Sequence, residues 1–186
     1  MILSDKTIRD RVKSGQLVLE PFNEDHLQPA SYDLTLGNKF LIFDTPNNLV
    51  IDVKEDSSAL MREVVVNDGD FFVLHPGEFA LANIAEVTGV DDKHVGRLEG
   101  KSSLGRIGII IHATAGFLDP GNKLRMTLEF SNIGTLPVKL YPGMKIAQMA
   151  FEELDQPCEK PYGHKSLNSK YYGDMDVQAS KMHKNF

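Results

Sequence analysis

The chain is short of cysteine, of long apolar runs and of positive charge, and each shortage removes a class of function. Cys158 is the single cysteine among 186 residues, so no internal disulfide can form and one chain cannot build a thiolate metal cluster. No apolar run approaches the roughly 18 residues that suggest a membrane span. The opening Met-Ile-Leu-Ser-Asp-Lys has neither the basic region nor the apolar core of a signal peptide. A protein of a reducing cytoplasm, away from membranes, is the expectation. A formal net charge of −6 offers nucleic acid no bulk basic field, although a local basic pocket for a nucleotide remains open. The six histidines contain no His-x-x-x-His pair, so no protein-ligated metal is expected. No useful length of helical periodicity separates the strand-like segments, which argues against a Rossmann-type sheet.

What remains is an ordinary globular composition, 41% hydrophobic and 25% charged, at a length that suits a single domain spanning 1–186. One short helix is expected at the N-terminus. Ser4 is a good N-cap, Leu3 and Ile8 stand at the positions of a hydrophobic staple, and Gly15 is a natural stop. After a largely apolar segment at 17–22, strands are expected at 32–36, 39–43 and 49–53, with a polar loop at 54–58. Taken on its own segment, Asp33 reads as a solvated aspartate on the polar face of its strand. From Phe71 onward the strand signal is dense, at 71–74, 79–85, 95–98, 107–111, 124–131, 138–140 and 145–151. Turns at His75-Pro76-Gly77-Glu78, Asp119-Pro120-Gly121 and Tyr141-Pro142-Gly143 punctuate it. Many short strands joined by Pro-Gly turns mean a β-sandwich or barrel.

The stretch from Gly100 to Gly121 organises the chain. Lys101, Ser102, Ser103 and Arg106 offer cationic and hydroxyl donors, while Gly100 and Gly105 let backbone amides approach a ligand. That is the equipment of an anion site, most simply for phosphate; spacing alone equally allows a β-turn with solvated charges. It does not match Gly-x-x-x-x-Gly-Lys-Ser/Thr, so a P-loop is excluded. Further on, Leu124, Met126, Leu128 and Phe130 face one way, and Arg125, Thr127, Glu129 and Ser131 the other. If the polar face lines a pocket, Glu129 is a candidate general acid/base; otherwise it is a surface glutamate. Residues 155–186 form a polar tail, either frayed or folded over a bound phosphate chain with Lys170 and Tyr162 as donors.

The segments Gly100-Lys101-Ser102-Ser103-Leu104-Gly105-Arg106, His112-Ala113-Thr114-Ala115-Gly116-Phe117-Leu118-Asp119-Pro120-Gly121 and Thr127-Leu128-Glu129-Phe130-Ser131-Asn132, in this order, resemble the dCTP deaminases of the trimeric dUTPase superfamily. The likeness extends from Met1-Ile2-Leu3-Ser4-Asp5 through Gln28-Pro29-Ala30-Ser31-Tyr32-Asp33 to Ser169-Lys170-Tyr171. It implies a mainly β fold, a distorted dUTPase-like barrel that forms homotrimers with active sites at subunit interfaces. It also implies dCTP as substrate, Mg²⁺ carried on the triphosphate, and dTTP as a feedback inhibitor. By the same resemblance, the phosphates belong to the turn from Lys101 through Ser102, Ser103, Leu104 and Gly105 to Arg106, and the sugar or base to Asp119. Thr127, Leu128 and Glu129 would line the cytosine pocket, with Gln148, Tyr162 and Lys170 as further contacts and the tail closing over the nucleotide.

Deamination needs a water activated for attack at C4, a proton delivered to N3 and a proton for the departing amine. One tuned carboxylate can shuttle all three. Glu129 is the expected shuttle, with Arg106 orienting it, Ser102 beside it in the catalytic set and the Ala115 carbonyl holding the water. Zinc deaminases instead use His-x-Glu and Pro-Cys-x-x-Cys, which a chain with Cys158 alone cannot supply. Gly116 after Thr114-Ala115, and the Gly-Lys-Ser-Ser turn, look more like members that continue from dUTP to dUMP and pyrophosphate, with Asp33 one carboxylate to place the second water. The alternatives are a deaminase that releases dUTP, a dUTPase, or a non-catalytic nucleotide sensor. Two positions depart from the family pattern. Asn122-Lys123-Leu124 stand where an aromatic residue and, two places later, a glycine are usual, and Asp174 stands where relatives often carry a phosphate-contacting glutamine. An acid at 174 would repel a triphosphate.

Overall fold

A 13-residue strand, Ser31–Phe43, carries most of the sheet pairing in the computed structural model, which describes residues 1–46, 50–114 and 116–186. Its first half pairs with Lys145–Glu153 and its second half with Phe79–Ile84 and Met61–Val65, so one strand serves two parts of the sheet. A register shift between Leu36 and Phe40 lets it do so without ending, because a bulge bends and twists the strand locally. The two strands expected at 32–36 and 39–43 are therefore one. The nine-stranded sheet runs in the order Phe117–Leu118, His94–Gly100, Lys145–Glu153, Ser31–Phe43, Phe79–Ile84, Thr127–Asn132, Ile109–Ile110, with two further strands paired to Ser31–Phe43. It curls into a half-barrel. A three-stranded sheet of Leu17–Glu20, Val87–Val90 and Lys123–Leu124, and a two-stranded one of Phe72–Leu74 and Val138–Leu140, complete the mainly β fold.

Alternation fills the core. Tyr32, Leu34, Leu36 and Phe40 from the long strand meet Leu128, Phe130, Met149 and Phe151, all at most 1% exposed. Each such side chain contributes roughly 1.5–3 kcal/mol relative to exposure. Phe40 stacks on Phe72 with ring centroids 4.2 Å apart. The helix Asp5–Lys13 is capped by Ser4, whose hydroxyl accepts from the Thr7 N–H, and Leu3 and Ile8 are both buried.

Several expectations are corrected. Residues 50–53 form no strand, and Leu49 lies outside the described residues. The 107–111 run pairs only at Ile109–Ile110, because Gly108 turns the chain with φ +84°. The strand expected at 124–131 is interrupted at Arg125 and Met126. There the Arg125 N–H donates to the Asp174 carbonyl, so the ladder is handed to the tail for one bond. Asp33 is 3% exposed rather than solvated, since Lys101 and Lys145 cover it.

Candidate active site

The polar face of Thr127–Asn132 opens onto a cleft of about 800 Å³. Glu129 enters it from the strand and keeps 31% of its side chain exposed. One carboxylate oxygen accepts the Ala113 N–H at 2.9 Å and lies 3.9 Å from His112 Nδ1, while the Glu129 N–H donates to the Ile111 carbonyl at 3.1 Å. The residue is thus held by its backbone and by one carboxylate oxygen, while the side chain stays part-exposed to the cleft. The loop behind it depends on Gly116, whose carbonyl accepts from the Leu98 N–H at 2.7 Å. A Cβ at Gly116 would stand 2.7 Å from the Leu98 carbonyl oxygen and 3.2 Å from the His112 ring.

Asp119 lines the same cleft, and burial pushes its carboxyl above the usual carboxylate range. The turn that follows docks the tail, with the Tyr162 N–H donating to the Pro120 carbonyl at 2.8 Å. Tyr162 faces the cleft, and its phenol is raised by burial and by the nearby Asp119 charge, against the lowering effect of the N–H that Tyr171 donates to it. Thr127 accepts the Gln178 N–H on its hydroxyl at 3.1 Å. Lys170 completes this group, its ammonium donating to the Asn185 amide oxygen at 3.0 Å. Leu128 turns the other way: its side chain is fully buried and does not line the cleft.

The remaining expected residues lie elsewhere. Residues 102–105 form a single helical turn after Lys101, anchored by buried Leu104, with Ser102, Ser103, Gly105 and Arg106 exposed. Lys101, Ser102 and Gly105 border a second groove of about 280 Å³, and His112 lines both this groove and the first. Neither Ser102 nor Arg106 lines the Glu129 cleft, so one chain does not bring Arg106 to Glu129 as expected. Lys101 donates instead to buried Asp33 at 2.5 Å, with Lys145 at 3.2 Å from the other carboxylate oxygen. Gln148 stands opposite both Asp33 and Glu99 in the sheet, apart from the cleft. Ala115 lies outside the described residues.

The tail is packed rather than frayed. Val177 and Ala179 are buried, Ser57 donates to the Ser180 carbonyl, and Lys39 pairs with Asp176 at 2.6 Å. That pairing lowers the Asp176 carboxyl and raises the Lys39 ammonium. His112, Asn122 and Lys181 were given no role by the sequence. His112 sits within a quoted motif, but its place between two grooves depends on long-range pairing. Among the described residues, no group of three or more His, Cys, Asp or Glu side chains could hold a metal ion, and no helix is long and apolar enough to cross a membrane.

Comparison with known proteins bears on this geometry. The dCTP deaminase-like family model matches residues 2–154. A Beutenbergia cavernae protein named dCTP deaminase, dUMP-forming, is 47% identical over 186 residues, covering 100% of this chain and 97% of that protein. A Methanobrevibacter smithii protein of the same name is 45% identical over 184 residues, covering 97% and 95%. The solved 2′-deoxycytidine 5′-triphosphate deaminase from Agrobacterium tumefaciens superposes with a TM-score of 0.64 at 24% identity, which speaks to fold alone. It covers 81% of this chain, while the chain spans 47% of that longer one.

Proposed function

The chain belongs to the dCTP deaminase family, and from that membership we propose that it hydrolyses dCTP to dUMP, ammonia and pyrophosphate. The observation that carries the reading to a site is the Glu129 carboxylate, anchored on the Ala113 N–H and open to a cleft of nucleotide size. Two waters are consumed. The first attacks C4 of cytosine, its proton passing to Glu129 and on to N3. A second proton, returned through Glu129, leaves with the amine as C4 becomes a carbonyl. Glu129 ends as it began. The second water attacks the α-phosphorus, and the bond to the bridging oxygen breaks to release pyrophosphate.

Magnesium enters as part of the substrate, the Mg²⁺ complex of the triphosphate, where it screens the phosphate charges. Asp119 would hold the sugar, and Thr127 with the Leu128 backbone the base edge. Tyr162 and Lys170 would close the tail wall over the phosphates. dTTP shares the sugar and triphosphate and would compete for the same cleft as an inhibitor.

Ser102, Ser103 and Arg106 would act from a neighbouring copy. Their donors are exposed beside the second groove while Glu129 lines the first, so a homotrimer in which one copy's 102–106 turn faces the next copy's cleft unites them. Exposed Ile107, Ile110 and Ile133, at 52%, 39% and 72%, supply apolar surface beside that turn.

Incubating the purified protein with dCTP and Mg²⁺, and resolving products over time, tests the reading. Appearance of dUMP with ammonia and no free dUTP pool is expected. Accumulating dUTP would reduce it to a deaminase alone. Turnover of added dUTP but not dCTP would make it a dUTPase, and binding without turnover a nucleotide sensor.

A further inference from the structure

Among the described residues, the cleft walls carry three carboxylates, Asp119, Glu129 and Asp174, against the two permanent cations Arg125 and Lys170. Arg125 is already committed, its guanidinium donating to the Ala85 and Met175 carbonyls. A triphosphate entering such a site would meet Asp174 as a like charge that repels it. Asp174 is not left bare. Its carboxylate accepts from Lys181 Nζ at 2.6 Å, with both side chains under 20% exposed. Lys181 lies outside the cleft lining and is held from behind, its backbone N–H donating to the Tyr171 hydroxyl at 3.0 Å and its ammonium standing 5.2 Å from that ring's centroid. Asp174 is fixed from the barrel side. Its carbonyl accepts the Arg125 N–H at 2.9 Å, and the preceding Gly173 N–H donates to buried Asn122 at 3.3 Å. The two departures from the family pattern, Asn122 and Asp174, are therefore joined through Gly173.

We propose that Lys181 is a positioning residue for triphosphate binding: it neutralises Asp174 and pins the 174–181 turn to the cleft, so that a site with an acid at 174 still accepts a polyanion. The proposal rests on reading the cleft as the dCTP site. With Lys181 gone, the Asp174 carboxylate would stand unpaired in a half-buried wall, where it repels the substrate and loosens the turn.

Steady-state kinetics with Mg·dCTP on the unmodified protein, Lys181→Met, Lys181→Arg and the Asp174→Asn/Lys181→Met double variant test it. Lys181→Met is expected to raise KM about tenfold while kcat stays within about twofold, and Lys181→Arg to behave like the unmodified protein. The double variant, with neither charge, should return KM to within about threefold. An unchanged KM in Lys181→Met, a loss confined to kcat, or a double variant no better than the single would each overturn the proposal. Ammonia release by the unmodified protein judges the deaminase reading separately. If it releases none, calorimetric Kd values for Mg·dUTP across the same four proteins judge Lys181 alone, and a flat series overturns its role.

Discussion

The Glu129 carboxylate accepts the backbone N–H of Ala113 at 2.9 Å, so this side chain and the loop beginning at His112 hold each other in place. Glutamine can accept the same bond through its amide oxygen but cannot carry protons. Glu129→Gln should therefore lower ammonia release from dCTP by at least about a thousandfold while leaving nucleotide affinity within a few-fold. Ammonia release and calorimetric binding, measured on one preparation, check both halves. Retained turnover would remove Glu129 from the chemistry.

If the site is shared between copies, two dead variants should rescue each other. Arg106→Ala and Glu129→Gln are each expected to be inactive alone. Unfolded together at equal amounts and refolded, they would form trimers in which about a quarter of the sites pair an intact Arg106 with an intact Glu129. Activity near a quarter of the unmodified level is the expected result. No recovery would mean that both residues act within one chain.

Asp119 gives a pH signature. Its folded-state carboxyl is raised by burial, so its contribution to stability is greatest below the unfolded value of about 3.9 and is lost as pH rises through the folded value. At neutral pH the buried charge is a standing cost that Asp119→Asn removes. That variant should melt about 2–4 °C higher than the unmodified protein at pH 7, with the difference shrinking below pH 4, and should bind dCTP more weakly. Thermal melts across pH decide it; equal melting temperatures at pH 7 would contradict the argument.

Gly116→Ala tests the close approach behind Glu129. The added methyl meets the Leu98 carbonyl oxygen at 2.7 Å and strains the bond between the Leu98 N–H and the Gly116 carbonyl. A loss of roughly 1–3 kcal/mol in denaturant unfolding is expected, together with a fall in kcat as the Ala113 N–H moves away from Glu129. Stability unchanged within about 0.5 kcal/mol would show that the loop shifts freely.

What the sequence makes legible is whatever depends on neighbours in the chain. Burial alternates at every position of Thr127–Asn132, as the side-chain pattern requires, and the Ser4 cap and the Pro-Gly turns are local in the same way. Met61–Val65 escapes notice because it has no apolar alternation of its own; it is a strand only because Ser31–Phe43 offers it a ladder. Val87–Val90 is short and contains Gly89, and likewise owes its form to partners on both sides. Asp33 is misjudged for a related reason. Of its two lysine partners, Lys145 comes from another strand and Lys101 from the turn that follows His94–Gly100, and nothing near Asp33 in the chain announces them. The division of the expected site residues between two grooves is a property of the folded surface, which motif spacing does not encode.

The bond from Arg125 to Asp174 also has a meaning in time. The core strands end at Glu153, so a ribosome has made every one of them before it adds the residues that pair with Arg125, Thr127 and Asn122. A chain that stopped short of Gly173 would keep every one of these strands but lose the part of the cleft wall supplied by Asp174, Ala179, Ser180 and Met182. The cleft is thus completed only after the sheet that frames it has been made.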